Sequence, residues 1–195
     1  FEEAVAAFVG ARYAVAFSSG TAALHAAVFA AGIGPGDEAI TTPLTFCATA
    51  NCVLYQGGRP VFADVCADTL NLDPSAVAAR ITPRTKAVLP VDYAGHPADL
   101  DALLQLAHRH GCIVIEDAAH ALGAQSRGRR VGSISQMTVF SFHPVKSITT
   151  GEGGMVTTDH PEFARRLRMF GNHGIEQDAK SREATGSWHY EMTAL

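Results

Sequence analysis

The run CIVIED, residues 112–117, limits the fold more than any other stretch of this chain. Its first four residues are apolar without alternation, so a strand built from them needs cover on both faces. YAVAF (13–17), the start of KAVLPVDYAG (86–95) and MTVFSFH (137–143) have the same character. DEAITT (37–42), PVFADV (60–65) and GMVTTD (154–159) read as further strands. Between them, 1–9, 22–31, 45–58, 73–81, 99–111 and 160–171 read as helices. Gly10, Gly32 and Gly111 stand at helix ends, and Asp73-Pro74 supplies an N-cap followed by proline at the first helical position. Strands buried on both faces and alternating with helices predict an α/β fold, with a mostly parallel sheet as the middle of three layers.

Composition removes several function classes. A net charge of −4 over 195 residues, with no Lys/Arg block, gives no electrostatic footprint for nucleic acid. The longest Ala-rich run, TAALHAAVFAAGIG, is too short to span a bilayer and contains a histidine, so no membrane association is expected. Cys47, Cys52, Cys66 and Cys112 form no CxxC pair and no metal-ligand spacing with histidine. They read as reduced thiols, which predicts a cytoplasmic protein without a metal site. The chain opens on FEEAVAAFVG, a helix already under way, and stops at YEMTAL, so both ends read as cut.

In open α/β sheets, ligands bind beyond the carboxyl ends of the strands. Ser18-Ser19-Gly20-Thr21 follows the first strand and enters a helix, where free amides attract an anion such as phosphate. Taken alone it reads first as an ordinary helix cap. Phe46 follows the second strand; an apolar aromatic there is by default a core residue. Glu116 and Asp117 close the run at 112–117, where a carboxylate either finds a positive partner or caps the next segment. Tyr93, Gly95 and His96 form a turn near another strand end. Ser141 and Lys146 follow the strand at 137–143, ahead of the glycines of TTGEGG. A lysine in a low-dielectric pocket loses basicity and becomes a nucleophile toward aldehydes, whereas a lysine on a loop otherwise snorkels to solvent. Each signal is weak alone. Their order is the set that holds pyridoxal phosphate: an anion site, a stacking aromatic, an acid for the pyridine nitrogen, and a lysine for the aldehyde.

The segments SSGTAAL (18–24), TTPLTFCATAN (41–51), PVFADV (60–65), VLPVDYAGHPADLD (88–101), IEDAAHALGA (115–124), SFHPVKSITTGEGGM (141–155) and NHG (172–174) resemble, in this order, the DegT/DnrJ/EryC1/StrS family of sugar aminotransferases. The resemblance implies the large domain of the aspartate-aminotransferase-like transferase fold type I. Residues 1–195 would be that cofactor-binding domain, truncated at both ends and without the small C-terminal domain. It implies that Lys146 carries the cofactor as a Schiff base, Asp117 faces the pyridine nitrogen, Phe46 stacks on the ring, and Gly20, Thr21 and Ser141 hold the phosphate. Ser19 would lie nearby, and His120, where many relatives have glutamine, would lie near the 3-hydroxyl. The implied partners are glutamate, a nucleotide-linked keto sugar, and a second copy of the chain in a homodimer with shared active sites. HPVKSITTGEGG and WHYEM (188–192) look most like enzymes that aminate C4 of a UDP-4-keto-6-deoxy sugar on the way to pseudaminic acid. A sugar dehydratase of the same fold would have histidine in place of Lys146. A non-catalytic protein that binds the cofactor stays open, and a nicotinamide-binding domain lacks its GxGxxG.

Overall fold

The computed structural model describes residues 1–175. In chain order the elements are α1 (Glu2–Val9), β1 (Tyr13–Phe17), α2 (Gly20–Ala30), β2 (Glu38–Thr41), α3 (Ala48–Tyr55), β3 (Arg59–Phe62), α4 (Pro74–Ala78), β4 (Thr85–Leu89), α5 (Leu100–Arg109), β5 (Ile113–Asp117), β6 (Gln125–Ser126), β7 (Arg129–Arg130), β8 (Met137–Ser141), β9 (Gly154–Thr158) and α6 (Pro161–Gly171). A short 3-10 turn, Tyr93–Gly95, lies between β4 and α5.

Seven strands form one sheet in the order β1-β9-β8-β5-β4-β2-β3. From β8 to β3 every pairing is parallel, and β9 alone runs against both its neighbours, β1 and β8. Side chains alternate between two helical layers, as a strand period of two requires. Val15, Ala39, Leu89, Ile115, Val139 and Val156 pack with α2, α3 and α6. Their neighbours Ala14, Phe140 and Met155 pack with α1, and Ile40 and Val88 with α4 and α5. The three layers expected from the apolar runs are present.

Three local outcomes differ from the sequence reading. β3 is an edge strand with Arg59 and Phe62 exposed, so it is not buried on both faces; Pro60, which lacks an amide to donate, suits that position. The helix expected over 45–58 begins at Ala48, because Thr45–Cys47 make tight turns onto it through Thr49 N–Phe46 O and Ala50 N–Cys47 O bonds of 3.2 Å each. The β6–β7 ribbon was not anticipated. It has little apolar content, and its turn needs positive φ at Arg127 (51°) and Gly128 (78°).

Candidate active site

The first strand–helix turn is built to approach the sheet closely. A Cβ on Gly154, at the start of β9, would lie 2.2 Å from the Ser19 carbonyl oxygen; one on Gly20 would lie 2.9 Å from Cβ of Ser141. Hydrogen in both places lets the N-terminus of α2 rest on the ends of β8 and β9. Ser19 caps the helix, its hydroxyl accepting from the Ala22 amide at 3.1 Å, and the Ala23 amide donates to the Ser19 carbonyl at 3.0 Å. Helix geometry leaves the amides of Gly20 and Thr21 for an external acceptor, beside the Ser141 hydroxyl. An anion is favoured there by the helix dipole as well.

Asp117 ends β5 on the face toward α2 and α3, and it is buried. The Thr49 hydroxyl donates to its Oδ2 at 2.7 Å and the Ala119 amide to its Oδ1 at 3.2 Å. Burial pushes this carboxyl up, while the hydrogen bonds from Thr49 and Ala119 and the charge of Lys146 pull it back. Lys146 lies half-buried in a loop that closes on Phe142: the Phe142 amide donates to Gly153 at 2.8 Å, and its carbonyl accepts from Thr149 Oγ1 at 2.9 Å. The Lys146 amide donates to the His143 carbonyl at 2.9 Å, turning the chain inside that loop. Its Nζ meets His120 Nε2 at 2.6 Å. Partial burial and the nearby ammonium lower the His120 imidazole, against Asp117. A neutral ring then offers Nε2 as acceptor to the lysine.

These groups share one cleft of about 480 Å³, within the range of small-molecule sites. Ser19, Gly20, Thr21, Phe46, Asp117, His120, Ser141 and Lys146 all line it. Phe46 is no core residue: it is 74% exposed, with a free face in the cleft. Tyr93 and His96 do not line it; Asn71 clamps their turn, accepting from the Tyr93 amide and donating to the His96 carbonyl, both at 2.9 Å. The NHG segment follows α6 and is not among the residues that line the cleft, and WHYEM lies outside the described residues. Sequence reasoning missed Thr49, one turn beyond Phe46 and bonded to Asp117, and Asp92, which reaches the cleft from the end of β4. The spacing of Thr49 from Phe46 was a usable signal; nothing local marked Asp92.

The four cysteines are free, and no cluster of metal-binding side chains occurs among the described residues. No helix among them is long and apolar enough to cross a membrane.

Comparison with known proteins finds relatives along nearly the whole chain. The chain is 52% identical over 193 residues to the spore coat polysaccharide biosynthesis protein SpsC of Bacillus subtilis, covering 98% of this chain and 50% of that protein. DesV of S. venezuelae, solved in complex with a ketimine intermediate, is 47% identical, with a TM-score of 0.88 over 91% of this chain and 48% of that one. Helicobacter pylori PseC, an aminotransferase involved in the biosynthesis of pseudoaminic acid, superposes with a TM-score of 0.87 at 35% identity, covering all of this chain and 51% of PseC. The chain thus spans about half the length of the relatives it matches. A family model matches residues 1–195 throughout, and the chain belongs to the DegT/DnrJ/EryC1/StrS aminotransferase family.

Proposed function

We propose that this chain carries the cofactor-binding half of a pyridoxal-phosphate-dependent aminotransferase. It moves an amino group from glutamate to a nucleotide-linked keto sugar. One observation carries the reading: a buried carboxylate, a half-buried lysine and a helix N-terminus with spare amides converge on a single cleft. The residues fit the cofactor. Gly20 and Thr21 amides with the Ser141 hydroxyl suit a phosphate, the free face of Phe46 suits a planar ring, and Asp117 suits a protonated ring nitrogen. When bound, pyridoxal phosphate supplies an aldehyde for the amino group and a ring that withdraws electrons from the reacting carbon.

The chain's own residues supply the rest. Lys146 binds the aldehyde and, once released, gives and takes a proton at the substrate carbon as general acid and base. His120 holds Nζ of Lys146 at the cleft mouth through the 2.6 Å contact. Asp117 keeps its charge at the ring nitrogen, with Thr49 and Ala119 fixing both carboxylate oxygens. Around Lys146 the mouth is apolar and open: Phe46 is 74% exposed, Val145 77% and Ile148 48%. Apolar groups so placed suit a second copy of the chain, in a homodimer with shared active sites. The motif HPVKSITTGEGG favours C4 of a UDP-4-keto-6-deoxy-N-acetylhexosamine as the acceptor, in keeping with the likeness to PseC. The likeness to SpsC supports a role in polysaccharide biosynthesis, and the free thiols suit a cytoplasmic enzyme.

The test is to incubate the protein with pyridoxal phosphate, glutamate and a panel of UDP-keto sugars, reading 2-oxoglutarate and the amino sugar together. Product from one keto sugar with an equal yield of 2-oxoglutarate is expected. Bound cofactor with no 2-oxoglutarate from any of them would favour the non-catalytic reading instead.

A further inference from the structure

Two further buried carboxyl groups adjoin Asp117, Glu116 on the opposite face of β5 and Asp92 just past the end of β4 at the border of the cleft, and the proposed chemistry uses neither. Asp92 is 1% exposed; its Oδ1 accepts from the Ala98 amide at 3.0 Å, and its Oδ2 has no partner. Glu116 is fully buried; its Oε2 accepts from the Ser135 and Thr138 hydroxyls, both at 2.7 Å, and its Oε1 has no partner. The two side chains are within hydrogen-bonding reach of each other. Their other charged neighbour is also a carboxyl, Asp117, with Lys146 and His120 lying beyond it in the cleft. Two carboxyls within hydrogen-bonding reach of each other and without a cation cannot both stay ionised, and two orphaned oxygens call for one hydrogen.

We propose that Asp92 and Glu116 share a single proton and act as a positioning couple for Asp117. The donor counts place the proton on Asp92, since Glu116 is already stabilised as an anion by two hydroxyls and Asp92 by one amide. Oδ2–H of Asp92 then donates to Oε1 of Glu116, and both orphans are satisfied. The bond ties the extension of β4 to the residue before Asp117. That same extension holds Asp117 by its backbone: the Asp92 amide donates to the Asp117 carbonyl at 3.0 Å, and the Asp117 amide to the Pro90 carbonyl at 2.8 Å. The three carboxyls therefore carry at most two negative charges, and the one facing the cleft is fixed from behind. Burial and the Glu116 charge both push Asp92 up, in keeping with a proton held at neutral pH. Because the folded state binds a proton that the unfolded state releases, this contribution to stability is full at acid pH and is lost as pH rises through the folded value.

The role assigned to Asp117 rests on the proposed function; the shared proton does not, and the experiment separates them. Infrared spectra of the cofactor-free protein at neutral pH should show the carbonyl stretch of a buried carboxylic acid, lost in both Asp92→Asn and Glu116→Gln. Folding of the wild type should take up about one more proton than folding of Asp92→Asn. Each of these amides still places a hydrogen in the contact, so both single variants keep the bond while losing the shared proton. Pyridoxal phosphate affinity should drop in Asp92→Leu and be restored toward wild type in Asp92→Asn. Absence of the band, or equal proton uptake by the wild type and Asp92→Asn, would overturn the shared proton even if the cofactor binds. A band in a wild type that takes up no pyridoxal phosphate would overturn the reading of the site, and with it the couple's positioning role.

Discussion

Replacing Gly154 by alanine puts the close approach of α2 to the sheet to the test. The added Cβ would stand 2.2 Å from the Ser19 oxygen, 2.4 Å from its carbonyl carbon and 2.6 Å from the Gly20 nitrogen. All three are backbone atoms, so no rotamer change relieves the overlap. The contact must open by about 0.8 Å to reach even the 3.0 Å floor seen for real Cβ atoms. Gly154 pairs with Phe17 and Ser141, and Ser19 caps α2, so relief either peels the end of β9 or pushes the spare amides into the cleft. Overpacking against main chain at such a point should cost about 3 kcal/mol, the upper part of the usual range. The control is Gly34→Ala, where nothing lies within 4 Å and φ is not positive. That change should leave stability within about 1 kcal/mol of wild type. Urea unfolding of the three proteins, with pyridoxal phosphate titrations alongside, reads both effects. Gly154→Ala should be clearly less stable and bind the cofactor more weakly. Wild-type stability and affinity in that variant would refute the geometric argument for the anion site.

Other outcomes follow from single contacts. Asp117→Asn should retain cofactor binding and lose about a hundredfold or more in amination turnover, since the ring nitrogen loses its counter-charge; single-turnover kinetics with glutamate would show it. Thr49→Val leaves Asp117 Oδ2 without its 2.7 Å donor, and should cost about 2 kcal/mol in denaturant unfolding. Glu38 is held by Thr82, Arg59 and Arg84, which draw its carboxyl down to about 2. Its contribution is present above the ordinary glutamate value and is lost as pH falls through about 2. Glu38→Gln should lower stability at neutral pH by about 2 kcal/mol, the exposed arginines being screened by solvent, and should flatten the acid limb of a stability–pH curve.

How much of this was legible in the sequence depends on how local each determinant is. Runs such as CIVIED and MTVFSFH announce two-sided burial by themselves, so the strands and the layers between helices were readable. Part of the cleft lining was readable for a related reason: a helix start, a strand-end acid and a lysine before glycines each keep their chemistry in a short segment. Pairing order is different. The reversal of β9, whose GMVTT reads like any parallel strand, depends on β1 and β8 closing around it. Asp92 and Thr49 gain their roles only when β4 and α3 come to lie beside Asp117, a juxtaposition no local pattern encodes. Phe46 shows the same limit from the other side. An aromatic after a strand defaults to the core, and only the turn preceding α3 leaves it open to the cleft.

The most direct measurement is the visible absorbance of the protein titrated with pyridoxal phosphate, beside Lys146→Ala, followed by borohydride and peptide mapping. The account predicts a visible band in the wild type that borohydride bleaches, fixing the cofactor mass on Lys146, and no such band in the variant. A band that survives in Lys146→Ala, or a cofactor fixed on another lysine, would contradict it.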